Sequence, residues 1–309
     1  MRIAALVRLG HPFPSLLNAV ATGALATLAG SDLPTAARLA LSMLALQASI
    51  GALNDLVDAP LDAAEKPAKP IPAGLVSRGA ARGVAVAGLV VGILLSVPSG
   101  APTVGVAVAG VGLGYLYDLR LSRTPWSWLP LALALPLLPV HAWVGATGSA
   151  PPGLLTLIPM AVVAGAALAI ANGLVDIERD ARAGRPTIAV RLGSRRAWAV
   201  QTALLAIVGA LAIVLAPVVP PDGPGMELGV LRTLRFGGVL VGLGALILGA
   251  FALADKRAGI RERGWELEAV GVAGVGIGWL AGTAGTVAPP VAAWVAIWVA
   301  GAAAGGVGS

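Results

Sequence analysis

The feature that most constrains this chain is the spacing of its charge. No Asp, Glu, Lys or Arg occurs in 9–31, 83–117, 124–175, 197–221, 236–254 or 269–309. A membrane-crossing helix needs about 20 mostly apolar residues, so these runs read as spans and the longer ones as helical hairpins. Alternating barrel patterning is absent, and continuous Ala/Val/Leu/Gly reads as helix. Composition agrees: 12% of residues are charged and mean hydropathy is +0.88, against about 25% charged in soluble domains. The expectation is one all-α membrane domain over 1–309. Spans fall near 12–30, 36–55, 83–99, 101–117, 127–147, 153–175, 197–217, 236–254 and 268–286. The uncharged tail at 269–309, interrupted by Pro289 and Pro290, reads as one span plus an apolar tail or as two short spans. The expected count is therefore nine, or ten.

With no cysteine, disulfides, thiolate metal sites and cysteine nucleophiles are excluded. A pI near 10.7 invites a nucleic-acid reading, but the basic residues sort by loop. One side collects eighteen of the twenty-one; the other holds Arg38, Arg232 and Arg235. That bias makes the rich side cytoplasmic, in what reads as a prokaryotic cell membrane, and no nucleic-acid partner is expected. Trp126, Trp128, Trp198 and Trp265 sit at proposed span ends, as interfacial tryptophans do, whereas Trp279 and Trp294 do not.

Against this background stand two acidic segments, NDLVDAPLD at 54–62 and NGLVDIERD at 172–180. Both fit N-x-L-V-D-x-x-x-D, both follow uncharged runs, and both fall on the basic side. They begin the long loops expected at 60–82 and 176–196. Residues four apart share a helix face, so Asn54, Asp58 and Asp62 are expected to point one way with Asp55 adjacent. Asn172, Asp176 and Asp180 are expected to repeat the arrangement, with Glu178 off it. Hard oxygen donors suit Mg²⁺, usually held by one or two carboxylates plus substrate phosphates. Lys66, Lys69, Arg120, Arg123, Arg182 and Arg185 lie in loops of the same face, and guanidinium forks match phosphate oxygens. Acids for metal, bases for diphosphate and apolar helices for a hydrocarbon tail together imply an amphiphilic diphosphate at the membrane surface. Acidic groups at membrane depth are costly and mark function. The basic residues are explained in part by orientation alone. His11 reads as interfacial and Asn18 as cavity-lining or interhelical. Tyr117, beside Arg120, is the better functional candidate of the two tyrosines.

NDLVDAPLD with the following KPAKPIPAG at 66–74 resembles the first motif and Pro-rich loop of the UbiA superfamily of intramembrane prenyltransferases. NGLVDIERD with ARAGRPTIAVRLG resembles the second motif, and YDLRLSRTP at 117–125 the loop after helix four. The resemblance implies a nine-helix bundle whose central cavity is capped by cytoplasmic loops. It implies Mg²⁺-dependent transfer of a prenyl chain from an isoprenyl diphosphate to an acceptor. Asn54, Asp58, Asp62, Asp176 and Asp180 would hold the metal. Asp55 would steer or deprotonate the acceptor. Arg8, and Arg120 or Arg123, would contact diphosphate, with Lys66, Lys69, Tyr117, Arg182 and Arg185 as further contacts; Asn18 and Asn172 would line the cavity. Two departures stand out. Pro60 falls inside the first motif and is expected to displace Asp62 onto a turn. Ser122 replaces a common lysine. GRPTIAVRLG resembles the quinone-pathway branch, while EKPAKPIPAG resembles the homogentisate, chlorophyll and archaeal glycerol-lipid branches. The acceptor expected is aromatic and lipid-quinone-like, or another small lipid. An isoprenoid cyclase on the same diphosphate site is the alternative, and a transporter ranks below both.

Overall fold

A backbone crossing hydrocarbon must satisfy its own polar groups, which leaves an apolar, non-alternating run only the helix. The computed structural model describes residues 2–215 and 228–282, and every regular element within them is helical. In order these are α1 (Arg2–Leu9), α2 (Pro12–Leu28), α3 (Leu33–Glu65), α4 (Arg78–Ser96), α5 (Ala101–Leu116), α6 (Leu129–Ala134), α7 (Leu137–Thr147), α8 (Pro152–Val175), α9 (Ile177–Arg182), α10 (Ile188–Leu192), α11 (Ser194–Val214), α12 (Leu228–Leu253) and α13 (Ala258–Ala281). A π-helical turn, Tyr117–Leu121, prolongs α5. Local signals set several starts. The Asp32 carboxylate accepts from the Thr35 amide at 3.0 Å before α3. Ser77 accepts from Ala80 at 3.1 Å before α4.

Seven helical stretches among the described residues are long and apolar enough to cross a membrane. They correspond to seven of the nine expected spans. The other two expected spans coincide with α2, of 17 residues, and α13, whose first half carries Arg261, Glu262, Arg263, Glu266 and Glu268. The rest of the last expected span, the segment considered for a tenth, Pro289, Pro290 and Trp294 lie outside the described residues. The expected span 127–147 is two helices. Pro136 removes an amide donor, and the chain breaks between Ala134 and Leu137.

The main core joins six helices through Leu25 of α2, Trp143 of α7, Leu154 and Met160 of α8, Leu205 of α11, Leu246 of α12 and Trp279 of α13. Val20, Leu94, Leu240 and Phe251 point outward, as lipid-facing positions should. The α12–α13 hairpin closes almost backbone to backbone. A Cβ on Gly242 would sit 2.7 Å from the Val275 amide nitrogen and 2.8 Å from the Gly271 oxygen. Small residues permit this approach in lipid.

The element that positions the first motif is α3, with 33 residues. At 1.5 Å per residue it is about 50 Å long, against about 30 Å of hydrocarbon. About twenty residues from Leu33 end near Asn54, so the motif rides on the projecting end. Pro60 does not break the helix, contrary to expectation: α3 runs through it to Glu65. Proline removes the amide that would have bonded the carbonyl four residues back, and the Arg78 guanidinium donates to that carbonyl, Leu56 O, at 3.4 Å. The expected loop 60–82 is therefore irregular only over 66–77, and 176–196 is largely the short helices α9 and α10.

Gly242→Leu should lower stability by about 1–3 kcal/mol through overpacking against backbone that cannot yield. A drop of several degrees in the detergent-solubilised melting temperature checks it; an unchanged melt contradicts the contact.

Candidate functional site

The two motifs meet at one end of the bundle. Glu65, the last residue of α3, accepts from Arg185 at 2.9 Å, and Arg185 also donates to Asp180 at 3.0 Å. Lys66 donates to Asp176 at 2.9 Å. These contacts bind the projecting end of α3 to the segment around α9.

Within the first motif the residues divide between different partners. Asp62 lies seven residues after Asp55, close to two full turns, and both face Lys69, whose ammonium is 2.8 Å from each. They are buried, with side chains 3% and 7% exposed. Asp58 accepts from Arg123 at 2.6 Å, while the Asn54 amide donates to Asp118 at 3.0 Å. Asn54, Asp58 and Asp62 stay on one continuous helix, as their spacing predicts, but Asp62 shares its cation with Asp55. The second motif departs from its expected arrangement. Helix α8 stops at Val175, and Asp176 (φ −105°, ψ 10°) is the hinge into α9, so Asn172, Asp176 and Asp180 are not on one continuous helix. Asp176 is also bound by Arg179, and Glu178 is held by both nitrogens of the buried Arg261 at 2.9 and 2.5 Å.

A cavity of about 310 Å³ opens beneath. Asp176, Asp180, Asn172, Tyr117, Ser122 and Thr187 contribute polar lining, and Met43, Leu46, Ile50, Val111, Leu131 and Leu138 contribute apolar lining. A second cavity of about 160 Å³, nearly all apolar, shares Pro14, Asn18, Leu131, Leu135 and Leu138 with the first. Asn18 and Asn172, expected to line a cavity, and Tyr117, expected to contact diphosphate, all lie along the first cavity.

The basic candidates behave unequally. Lys66, Lys69, Arg123 and Arg185 each hold a motif carboxylate. Arg8 reaches the Ala68 carbonyl at 3.4 Å. Among the described residues Arg182 donates to the Glu178 carbonyl at 3.1 Å, and Arg120 is exposed with no polar partner. Charge follows the geometry. Burial draws the Lys69 ammonium down, but Asp55 and Asp62 more than offset it, so it titrates above the ordinary lysine value. Burial pushes the Asp180 carboxyl up and Arg185 restores only part, leaving it above the ordinary aspartate value.

The donor set suits a hard cation in a particular way. No three His or acidic side chains among the described residues converge to cage an ion. Asp58 and Asp176, one per motif, are 31% and 35% exposed behind exchangeable Arg123 and Lys66. One or two carboxylates completed by substrate phosphate is the usual Mg²⁺ arrangement. Sequence reasoning passed over Asp118, Arg261 and Glu65, and set His11 aside. Asp118 stood in view inside YDLRL, but no spacing signal tied any of them to the motifs.

Comparison with known proteins is consistent with this architecture. The model of the UbiA prenyltransferase family matches residues 15–259. Digeranylgeranylglyceryl phosphate synthase of Methanoregula boonei is 32% identical over 185 residues, covering 58% of this chain and 62% of that protein. The chain thus spans about three-fifths of that relative's length. A solved UbiA homologue from Aeropyrum pernix superposes with TM-score 0.67 at 19% identity, covering 85% of this chain and 96% of that one. One from Archaeoglobus fulgidus bound to GPP and Mg²⁺ superposes with TM-score 0.62 at 18% identity, covering 90% and 99%.

Arg185→Ala should cost about 1–3 kcal/mol at neutral pH by leaving Glu65 and Asp180 half-buried without a counter-charge. Asp180, whose carboxyl already sits above the ordinary aspartate value, loses its charge as pH falls, and the deficit should shrink. Melting temperatures of the variant and wild type at pH 4 and 7.5 check this; a deficit that widens toward acid contradicts it.

Proposed function

The chain belongs to the UbiA prenyltransferase family, and from that premise we propose that it transfers a prenyl chain from an isoprenyl diphosphate to a small lipid acceptor inside the membrane, with Mg²⁺ as cofactor. The observation that carries this reading is the join between a carboxylate-and-cation rim and the largely apolar cavity below it. On this reading the bundle crosses the membrane nine times, α2 and α13 included. The motif rim faces the cytoplasm of a prokaryotic cell.

Asp58 and Asp176 would hold the metal with diphosphate oxygens, and Asn54, Asp62 and Asp180 would complete its oxygen-rich surround. The bound ion would supply neutralisation of the leaving diphosphate. The chain's own residues do the rest. Lys66 and Arg123, now on Asp176 and Asp58, transfer their donors to phosphate oxygens. Arg8, Arg120, Arg182 and Arg185 lie within loops or helix ends of the same face. Tyr117 and Asn172 border the reacting end. The cavity wall holds the chain extended beside the reacting end once the C–O bond ionises. Positioning and charge stabilisation supply the rate.

A glyceryl phosphate lipid is the first acceptor reading, supported by the name of the Methanoregula relative. An aromatic, lipid-quinone-like acceptor is the second, supported by the GRPTIAVRLG segment after the second motif.

The test is purified protein in lipid with Mg²⁺ and geranylgeranyl or farnesyl diphosphate, alone and with glyceryl phosphate lipids or aromatic acceptors, products read by mass. A product of acceptor plus prenyl is expected. It should fall at least about 100-fold in an Asp58→Asn, Asp176→Asn double variant, the scale of lost electrostatic stabilisation. A hydrocarbon or alcohol formed without acceptor points instead to cyclisation or hydrolysis, and no diphosphate release with any donor sinks the reading.

A further inference from the structure

His11 sits between α1 and α2 with φ 47° and ψ 72°, the single positive φ outside glycine among the described residues. Such backbone is uncommon for a side-chain-bearing residue and persists where the surroundings enforce it. The enforcement is visible. Gly51, one turn before Asp55 on α3, lets the α1–α2 junction lie directly on that helix. A Cβ there would meet Leu9 O at 2.8 Å and the His11 ring at 3.0 Å. The result is a ring whose Nε2 lies 3.3 Å from Asp55 Oδ1.

The two partners differ in access. Asp55 is 3% exposed and His11 is 40% exposed. Nδ1 has no partner among the described residues. His11 stands one turn above Pro14, which with Asn18 lines both cavities. An imidazole fixed on one nitrogen by a buried carboxylate, with the other nitrogen open, has the arrangement by which histidine acts as a base. Asp55 itself is too enclosed to reach an acceptor. Lys69, the other group on Asp55, is not the base, because its two carboxylate partners keep it charged.

We propose that His11 is the general base that takes the acceptor's proton, with Asp55 as the residue that positions it. The inference rests on the prenyl-transfer reading above. In the step, the C–O bond to diphosphate breaks and its electron pair leaves with diphosphate. The acceptor oxygen, or ring carbon, bonds to the allylic carbon, and the proton it loses passes to the free nitrogen of His11.

The experiment uses the full chain in lipid with geranylgeranyl diphosphate and whichever panel acceptor the wild type prenylates, measuring product and released diphosphate together. His11→Asn is the informative variant, because asparagine tolerates the left-handed backbone. The ratio of product to diphosphate should fall about 100-fold, as expected for a lost proton-transfer catalyst, since water in excess still captures the cation. The wild-type product rate should fall toward acid pH, and His11→Asn should lack that limb. The charged groups facing His11 are Asp55 and Lys69, with Arg8 three residues before it and Asp118 beyond Asn54; none of these is altered. His11→Lys should not restore product. Product falling in step with diphosphate release, or restoration by lysine, would make His11 a diphosphate cation and overturn the proposal. A wild type that releases no diphosphate with any donor overturns the prenyl-transfer reading, and this inference with it.

Discussion

Carboxylates gathered at the top of an apolar bundle repel one another and lie where desolvation is costly. The rest of the site follows from how that repulsion is answered. Each motif aspartate is met by a cation: Lys69 for Asp55 and Asp62, Arg123 for Asp58, Lys66 for Asp176, Arg185 for Asp180. The same ion pairs tie the 66–77 segment, the turn after α5 and the segment around α9 to the end of α3. Charge neutralisation and rim architecture are one set of contacts.

These contacts are graded by access. Asp55 and Asp62 are enclosed with Lys69, a fixed structural group. Asp58 and Asp176 are about one-third exposed, each on a flexible cation. Partly exposed ion pairs are weak, typically below about 1 kcal/mol, so a multiply charged ligand can exchange them. The distribution separates enclosed aspartates from partly exposed ones, and the latter are those we propose engage the ligand.

Fold class and the location of the site were legible in the sequence because both are written in local pattern. Uncharged runs of span length can only be helices in lipid, and two copies of N-x-L-V-D-x-x-x-D at the ends of such runs mark one membrane face. What was not legible depended on contacts between distant residues. Pro60 reads as a helix breaker until Arg78, eighteen residues on, is seen supplying the missing donor to Leu56 O. Asp62 reads as a partner of Asp58 until Lys69 draws it to Asp55. His11 reads as an interfacial residue because the Gly51 gap that lets it reach Asp55 lies forty residues away. Spacing of four also concealed the break at Asp176, which separates α8 from α9.

The central claim is that Asp58 and Asp176, one from each motif, hold a divalent ion together with substrate diphosphate. The most direct measurement is Mn²⁺ binding by electron paramagnetic resonance on the protein in lipid, with and without a non-ionising geranylgeranyl thiodiphosphate. The account predicts weak binding alone, because Lys66 and Arg123 occupy the carboxylates. It predicts binding at least about tenfold tighter with the analogue, lost when Asp58 or Asp176 becomes asparagine. Mn²⁺ binding indifferent to the analogue, or undiminished in either variant, would contradict it.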